Sequence, residues 1–481
     1  MIVKTTRKNT LIIGAGSGGE FVIQQLKKMP NSEYVPVAIL DDNPDKWNTK
    51  LQGVLIVSGL ESIHYCMEAY KIEHIILAIP TLSNAKQKEI ICQVGGYDAT
   101  FFILPAVFSA KQNQKIVIPE LNYSDLIQNR SEFQLHYQDV HQEMRQKTVL
   151  ITGAGGSIGS EIACQILKCQ PKKLILLGHG EGSIFQIGRT LEQEKKRDAA
   201  QVELISVIAD VSDMDQITRI FKQHKPDIVY HAAAHKHVPL MENNVHEAVK
   251  NNVVGTYNVI QASKLVAVEK FVMVSTDKAV NPKNVMGASK RLAEKLTLEI
   301  DTTSKTRCSV VRFGNVLGSR GSVFPTLWEQ IHRGIPLTIT NPEMKRYFMT
   351  IPEASKLVIS ASMLEGRNAI FVLDMGEQLG LDTMIDQLIT LSGRNKQDVA
   401  MEFVGVRPGE KMSEELFNEA EFSSKVGDKI YEGNYYTQVE ELRAIKGLMA
   451  TYKMMDNELL HQRLLALANQ QNSPRNLSIE V

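Results

Sequence analysis

Two segments of the chain share one pattern: a short apolar run, a cluster of glycines, and then positions with helical periodicity. The first joins Thr10–Ile13 to the glycines of 14–19, and the second joins Thr148–Thr152 to those of 153–159. An apolar run that turns sharply through glycine into a helix is typical of the first strand of a parallel sheet. Strand-like and helix-like stretches alternate after both segments, so the pattern predicts an α/β chain with two doubly wound parallel sheets.

The remaining strand-like runs predict the domain boundaries. In the first part of the chain they are Val35–Leu40, His74–Ile79 and Phe102–Leu104. In the second part they are Lys173–Leu177, Val202–Ala209, Asp227–His231, Phe271–Ser275, Ser309–Phe313 and Ala369–Leu373. We therefore predict an N-terminal Rossmann-like domain over 1–105, a polar linker over 106–146, a larger Rossmann-like domain with a C-terminal subdomain over 147–435, and a helical segment with a polar tail over 436–481.

The second glycine cluster indicates nucleotide binding. Gly153, Gly156 and Gly159 fit the GxxGxxG spacing. Glycines at these positions let a pyrophosphate approach the backbone, while the N-terminus of the following helix offers free N–H groups to the phosphates. We predict a dinucleotide at this loop, with Ser157 and Ile158 in the first helical turn.

The first glycine cluster leaves two interpretations open. Gly14, Gly16 and Gly19 fit GxGxxG, and Asp41 follows the next strand-like run. This arrangement predicts either a second nucleotide site or a tight strand–helix turn in a domain that positions or regulates its neighbour.

Residues after neighbouring strands indicate which dinucleotide is bound. Asp210, next to Val211, is expected to place its carboxylate beside the adenine amino group. The small side chains of Ala232 and Ala233 are expected to leave room for the dinucleotide. The carboxylate that normally binds the adenosine ribose is missing after the second strand, and Glu181 could replace it only if the turn is displaced. Because no arginine lies in that turn to bind a 2′-phosphate, the sequence favours NAD over NADP.

Composition excludes several classes of function. Lys+Arg and Asp+Glu both number 54, so the formal net charge of zero predicts no bias toward nucleic acid or an anionic membrane. No apolar stretch approaches the roughly 20 residues of a membrane span, and the N-terminus does not read as a secretory signal. The five cysteines are scattered without CxxC spacing, which indicates reduced thiols in a cytoplasmic protein.

The segment Val274–Lys290 is the most informative stretch of the chain. It contains the motif Thr276–Lys278, and four further motifs are Thr152–Gly159, His231–Glu242, Arg312–Ser319 and Arg407–Lys411. Together these stretches make the sequence resemble extended short-chain dehydrogenase/reductases. More closely, the sequence resembles the bacterial UDP-N-acetylglucosamine 4,6-dehydratases of the CapD-like polysaccharide biosynthesis family. The N-terminal domain also resembles that of the long members of this family.

One position departs from the superfamily pattern. The usual YxxxK pair reads Met286-xxx-Lys290 here. Methionine has no titratable proton, so the proton-accepting role of the tyrosine must fall to another group. The long dehydratases that this chain resembles share the methionine, so the resemblance implies an active enzyme in which Lys290 binds the nicotinamide ribose.

The resemblance implies a dehydration in which the sugar C4 is oxidised, water leaves across C5 and C6, and the hydride returns to C6. We assign Lys278 as the base at C5 and expect Lys290, the cationic nicotinamide and partial burial to lower the pKa of Lys278. Asp277 is assigned as the acid at C6 and as a candidate acceptor of the C4 hydroxyl proton. Thr276 is expected to hydrogen-bond the C4 oxygen.

The diphosphate and uridine of the substrate require cations and fixed donors, for which the candidates are Asn315, Arg346 and Arg407. Glu410 is expected to accept hydrogen bonds from the ribose hydroxyls, and Lys236 is expected to face the substrate from the loop after its strand. The alternative for Arg346 is a solvated surface charge, and that for Arg407 with Glu410 is a salt-bridged turn. The histidines at 231, 235 and 237 supply no obvious fourth ligand, so no metal is predicted.

The expected function is NAD-dependent dehydration of UDP-N-acetylglucosamine to a UDP-4-keto-6-deoxy-N-acetylhexosamine, a lyase reaction of bacterial glycan biosynthesis, with retention at C5 favoured. The alternatives are a UDP-sugar 4-epimerase, a C5-inverting dehydratase and a non-catalytic nucleotide-sensing protein. The location is predicted to be cytoplasmic, either as a complete protein or as the soluble part of a membrane-anchored family. A homo-oligomer is expected, with the helices beside Met286 as its interface.

Overall fold

The computed structural model divides the chain into two units: one of 1–128, 323–339 and 382–404, and one of 129–322, 340–381 and 405–481. The residues that the structure describes are 8–28, 34–79, 82, 86, 89–90, 93–94, 97, 99–103, 126–127, 133–299, 304–333, 335–364, 368–392, 396–418, 421, 423–433 and 437–470. Cys92, most of the predicted linker and the tail beyond residue 470 lie outside the described residues.

The strands follow the predicted alternation with helices. They are β1 (Lys8–Ile13), β2 (Tyr34–Leu40), β3 (Lys50–Leu51), β4 (Val54–Ser58), β5 (His74–Leu77), β6 (Thr100–Ile103), β7 (Thr148–Thr152), β8 (Lys173–Gly178), β9 (Glu203–Ile208), β10 (Ile228–His231), β11 (Lys270–Val274), β12 (Arg307–Arg312), β13 (Asn315–Leu317), β14 (Leu337–Ile339), β15 (Lys345–Arg346), β16 (Phe348–Thr350), β17 (Ala369–Leu373), β18 (Leu379–Gly380), β19 (Met401–Phe403), β20 (Ser423–Gly427) and β21 (Ile430–Gly433).

Helices connect the parallel strands and cover the sheets. They are α1 (Ser17–Lys28), α2 (Ile63–Ala69), α3 (Tyr137–Met144), α4 (Ser157–Lys168), α5 (Glu181–Arg197), α6 (Met214–His224), α7 (Val238–Glu242), α8 (Val245–Ala248), α9 (Gly255–Leu265), α10 (Val285–Thr297), α11 (Val323–Arg333), α12 (Ile351–Met363), α13 (Leu381–Leu391), α14 (Val439–Thr451) and α15 (Asn457–Ala468). Among the described residues, every helix is too short or too polar to cross a bilayer.

Each unit contains its own doubly wound sheet. The first has the order β3-β4-β2-β1-β5-β6 and is parallel apart from the β3–β4 pair. The second has the order β20-β21-β17-β12-β11-β10-β7-β8-β9, in which β9 through β17 are parallel and β21 and β20 add antiparallel strands. This confirms the predicted α/β fold with two Rossmann-like sheets. In the second sheet the strand order reverses direction around β7, so a crevice is expected at the carboxyl ends of β7 and β10.

Most of the strands that the sequence did not predict are short or exposed. The pairs β13–β16, β14–β19 and β15–β18 contain two or three residues per strand. Edge strand β20 is exposed along most of its length. Strands of this kind are too short or too polar for hydrophobic pattern to reveal them. Strand β4 is different, because it contains an apolar run, and the prediction missed it.

Helix α10 is buried along its whole length. Asn284 caps its first turn, and all thirteen residues of the helix are buried. The Lys295 Nζ donates hydrogen bonds to Glu441 Oε1 at 3.0 Å and to the Leu467 carbonyl at 3.1 Å, which joins α10 to α14 and α15. The expectation that the helices beside Met286 form a dimer interface is therefore wrong for α10, because the chain's own later helices cover it.

Four buried charged residues join α10 to β12. Arg312 is completely buried and donates to Glu294 at 2.7 Å and to Glu421 at 2.7 Å, while Arg291 contacts both carboxylates. Burial alone would raise the pKa of Glu294, but Arg312 and Arg291 hold it at about 2. Glu294 also accepts a hydrogen bond from Ser275 Oγ at 2.6 Å, so the network reaches the end of β11.

We predict that Arg312→Leu lowers the free energy of unfolding by about 3–5 kcal/mol, because it leaves two buried carboxylates without their main cation. The matched control is Arg307→Leu on the exposed start of the same strand, where a change below about 0.5 kcal/mol is expected. Chemical denaturation followed by circular dichroism measures both values. An equal loss of unfolding free energy in the two variants would contradict the prediction that the buried network stabilises the fold more than an exposed arginine does.

Candidate active site

The second glycine loop forms a tight turn between β7 and α4. Gly153 has φ +65°, and a Cβ on it would lie 2.7 Å from the backbone N and Cα of Ala233. A Cβ on Gly159 would lie 2.3 Å from the carbonyl oxygen of Gly153. Glycine is therefore required at both positions for the turn to pass this close to β10 and into the helix. Gly156 is the N-cap of α4, which begins at Ser157.

A cavity of about 240 Å³ opens between this loop and the carboxyl ends of β8 to β10. Its lining residues are Gly153, Gly155, Gly156, Gly178, His179, Gly180, Ser183, Ala209, Val211, Ala232, Ala233, Ala234, His235, Asn251 and Arg320. Most of these side chains are small, which leaves room for a flat, extended ligand. A dinucleotide fits this cradle, since glycine Cβ atoms would fill it and the N-terminus of α4 faces the loop.

Six of the predicted cofactor residues do not line the cavity. They are Ser157, Ile158, Gly159, Glu181, Asp210 and Lys290. Glu181 is exposed as the first residue of α5, and its preceding neighbours His179 and Gly180 line the cavity instead. Asp210 lies between two lining residues and accepts a hydrogen bond from the Ser212 N–H at 2.8 Å. Burial acts to raise the pKa of Asp210, but this N–H and nearby groups lower it overall, so the carboxylate is charged.

Arg320 is a cavity residue that sequence analysis missed. Its guanidinium donates to the Gly155 carbonyl, and its backbone N–H donates to Ser157 Oγ at 3.2 Å. A cation is thereby held against the glycine loop. The motif Arg312–Ser319 ends one residue before it, so only the adjacent glycine-rich sequence could have drawn attention to it.

The predicted catalytic residues Thr276, Asp277 and Lys278 lie directly after β11. Asp277 is completely buried, and its Oδ1 accepts hydrogen bonds from Thr276 Oγ1 at 2.9 Å and Lys278 Nζ at 3.0 Å. The Lys278 Nζ also donates to Asn315 Oδ1 at 2.9 Å, so the structure brings four of the predicted site residues together. Asp277 Oδ2 is buried and has no hydrogen-bond partner among the described residues.

The expected direction of the Lys278 pKa is wrong. Burial lowers it as predicted, but Asp277 and Glu414 together outweigh burial and raise the pKa above its ordinary value. Lys278 is therefore an ammonium in the protein alone. Sequence analysis named the neighbouring cations and missed the second carboxylate.

Lys290, unlike Lys278, has a lowered pKa. It lies on α10, and its Nζ donates to the Val274 carbonyl at 2.7 Å. Burial lowers the pKa of Lys290 to about 8. Met286, one turn earlier on α10, is 3% exposed and packs in the apolar core, so no proton-transferring group stands at its position.

Glu414 is the second functional candidate that sequence analysis missed. It is 4% exposed, and its Oε1 lies 3.7 Å from Lys278 Nζ and 3.8 Å from Arg346 Nε. Arg346 donates to the carbonyls of Lys345 and Lys411, so it is not the solvated surface charge weighed as an alternative. Glu414 belongs to no motif and lies among ordinary charged residues, which explains why pattern alone did not select it.

The remaining predicted substrate residues lie apart from this cluster. Arg407 is exposed, and its backbone N–H donates to Glu410 Oε2 at 3.2 Å within one turn. The same turn packs on the start of α10, because Asn284 Nδ2 donates to the Gly409 carbonyl at 2.9 Å. Lys236 donates to Ser319 Oγ at 3.2 Å, close in sequence to Arg320.

The first of the three histidines at 231, 235 and 237 has a structural role. His231 is buried, and its ring nitrogens contact the hydroxyls of Thr152 at 2.7 Å and Thr256 at 2.9 Å. Burial, followed by the charge of Lys290, lowers the pKa of His231 to about 3, so the ring is neutral. Within the described parts of the chain, no group of three or more His, Cys, Asp or Glu residues is placed to hold a metal.

The first glycine loop has a different arrangement. Gly14 has φ +106°, and the Ala15 N–H donates to Asp41 Oδ2 at 2.6 Å. Lys46 lies 3.3 Å from the same carboxylate and donates to the Ala15 carbonyl at 3.3 Å. Asp41 is therefore bound to the loop and to a lysine, and a nucleotide ribose would have to share this carboxylate.

Comparison with known proteins shows the family. A model described as "Polysaccharide biosynthesis protein" matches residues 149–434, and one described as "CoA-binding domain" matches residues 3–95. Capsular polysaccharide biosynthesis protein CapD of Staphylococcus aureus is 43% identical over 472 residues, which are 96% of this chain and 77% of that protein.

Two further comparisons each cover 60% of this chain. A UDP-glucose 4-epimerase of Rickettsia bellii is 36% identical over 299 residues, which are 60% of this chain and 82% of that protein. The X-ray structure of Pen from Bacillus thuringiensis is similar with a TM-score of 0.55 and 31% identity, covering 60% of this chain and 89% of that one. The fold, the glycine loop and these relationships agree, and the chain belongs to the CapD-like polysaccharide biosynthesis protein family.

Proposed function

We propose that this chain is an NAD-dependent UDP-N-acetylglucosamine 4,6-dehydratase. The observation that carries the proposal is the hydrogen-bonded pair of completely buried Asp277 and partly buried Lys278 at the carboxyl end of β11. Elimination of water requires an acid and a base side by side, and this pair supplies both. Met286 supports the same conclusion, because a site without the usual tyrosine needs another group to exchange the C4 hydroxyl proton.

The glycine loop would hold the cofactor. Gly153, Gly156 and the N-terminus of α4 would bind its diphosphate, with Arg320 as an additional cation. Ala232 and Ala233 would provide space beside it. Bound NAD would accept the hydride from sugar C4 and return it to C6, so no net oxidation results.

The first proton moves to Asp277. As the C4 hydride leaves, the C4 hydroxyl gives its proton to the carboxylate of Asp277. The Thr276 hydroxyl donates a hydrogen bond to the C4 oxygen. Protonation removes one of the two negative charges that hold Lys278 as an ammonium. The Lys278 ammonium, whose side chain is 19% exposed, then releases a proton to solvent water more readily, and the neutral amine that results can act as a base.

The elimination uses both members of the pair. Lys278 takes the C5 proton, which the new C4 ketone has made acidic, while Asp277 returns its proton to the departing C6 hydroxyl and water leaves. The hydride then adds to C6, and Lys278 returns a proton to C5. We propose retention at C5, because the Lys278 amine that removes the C5 proton also returns a proton to the same face of the sugar.

The rival function is a UDP-sugar 4-epimerase, which the 36% identical Rickettsia bellii protein of that name favours. An epimerase shares the oxidation at C4 but does not need the Asp277–Lys278 pair to eliminate water. The two activities give different products: a dehydratase releases one water from the sugar, whereas an epimerase yields an isomer of unchanged mass.

We expect the purified chain to convert UDP-N-acetylglucosamine to a 4-keto-6-deoxy product, with deuterium from heavy water incorporated at C5. Proton NMR in deuterated buffer reports the product, the exchange and the configuration at C5 together. An epimeric product of unchanged mass would establish the rival function. Inversion at C5 would establish the alternative stereochemistry, and binding without turnover would indicate a sensor.

Substitution of Lys278 by Met should reduce the dehydration rate at least about 100-fold, because general acid–base groups contribute typically 10²–10⁴-fold. The matched control is Lys222→Met, which removes the same charge from an exposed position of α6 and should leave the rate unchanged. Initial rates from the NMR assay measure both. Full activity in Lys278→Met would exclude this lysine as the base.

Substitution of Gly153 by Ala should weaken NAD binding about tenfold or more. The new Cβ would lie 2.7 Å from backbone atoms of Ala233, and a positive φ costs a non-glycine residue of order 1–3 kcal/mol. Gly182→Ala is the control, since a Cβ there meets no atom within 4 Å. Isothermal titration with NAD measures both variants, and thermal unfolding verifies that they are folded. Unchanged NAD affinity of Gly153→Ala would contradict the placement of the cofactor.

A further inference from the structure

Glu414 is a buried carboxylate that the proposed reaction does not use. Its Oε1 contacts Lys278 Nζ at 3.7 Å and Arg346 Nε at 3.8 Å. Its Oε2 is buried and has no hydrogen-bond partner among the described residues. The Glu414 carbonyl accepts a hydrogen bond from Gln378 Nε2 at 2.9 Å, which fixes the backbone at this position.

The charges around Lys278 come from three parts of the fold. Asp277 precedes it in the same segment, Arg346 lies on β15, and Lys411 and Glu414 lie on the segment that follows β19. Arg346 gives its N–H groups to backbone carbonyls, and Lys411 donates to the Val280 carbonyl at 2.7 Å. Lys411 forms no ion pair with Glu414, whereas Arg346 and Lys278 lie at similar distances from it, so Glu414 is shared between these two cations.

Outside the Thr276–Lys278 segment, Glu414 is thus the carboxylate that acts most directly on Lys278 among the described residues. Asp277 accepts a hydrogen bond from the same amine, but in the proposed reaction it gains a proton and loses its charge. Glu414 then remains as the carboxylate that opposes release of the Lys278 proton. A buried opposite charge within about 4–6 Å favours the charged form of an amine.

We propose that Glu414 is a positioning residue that sets the protonation state of Lys278. It holds the ammonium beside Asp277 and Asn315 in the protein alone, and it determines the pH at which Lys278 becomes a neutral amine. This inference deepens the proposed dehydratase function, and its main test does not depend on activity.

The test is competitive acetylation of the full chain with acetic anhydride between pH 7 and 11, with the Lys278 peptide quantified by mass spectrometry. In Glu414→Gln the midpoint for Lys278 should fall by about 1–3 pH units, because one of two nearby negative charges is removed. Glu415→Gln is the matched control: its carboxylate is 52% exposed and accepts from Asn281, so the Lys278 midpoint should not change.

Glu414→Asp draws the carboxylate away from Lys278 and should lower the midpoint less than Glu414→Gln. This variant answers the question if the glutamine variant does not fold, as judged by circular dichroism. A Lys278 midpoint equal to that of the unsubstituted chain in the folded variants overturns the proposal.

A second measurement connects Glu414 to turnover. The acidic limb of the pH–rate profile for UDP-N-acetylglucosamine should move to lower pH in Glu414→Gln, since the base form of Lys278 is reached earlier. A merely structural role would lower the rate without moving the limb. If the unsubstituted chain shows no dehydration while the acetylation midpoint shifts, the proposed function fails and the role of Glu414 stands.

Discussion

A lysine ammonium enclosed by two carboxylates is the interaction on which the candidate site depends. Asp277 and Glu414 approach Lys278 from different elements, and each is almost completely buried. A single buried charge would be unstable in such surroundings, whereas a compensated group keeps its charge and remains available for proton transfer. The rest of the second sheet serves to bring these groups to one edge.

The fold achieves this because the carboxyl ends of parallel strands meet on one side. β7 ends in the glycine loop, β10 ends in Ala232 and Ala233, and β11 ends in the Thr276–Lys278 segment. Behind them, Glu294 accepts from Ser275 and is held by Arg312, so the start of the Thr276–Lys278 segment is tied to buried charges on α10 and β12. The second glycine loop and the Asp277–Lys278 pair thus lie along the same edge of the sheet.

The sequence predicted what depends on local pattern. The strands β7 to β12 and the position of Gly153 follow from apolar runs and glycine spacing, because both are dictated by neighbouring residues. The direction of the Lys278 pKa and the exposed position of Glu181 could not be predicted in this way. The pKa of Lys278 depends on Glu414, which lies 136 positions later in the chain, and the exposure of Glu181 depends on where the turn after β8 leaves the sheet. Neither feature produces a periodic pattern in the sequence.

The bond between Lys295 and Glu441 has a consequence for how the protein is made. The two residues are 146 positions apart, yet the helix that bears Lys290 is enclosed only when both are in place. During synthesis on a ribosome, α10 emerges long before α14 and α15, and its buried lysine has no carboxylate there to accept it. Helix α10 therefore completes its packing late in translation, and until then the nascent chain carries an uncovered apolar and charged surface.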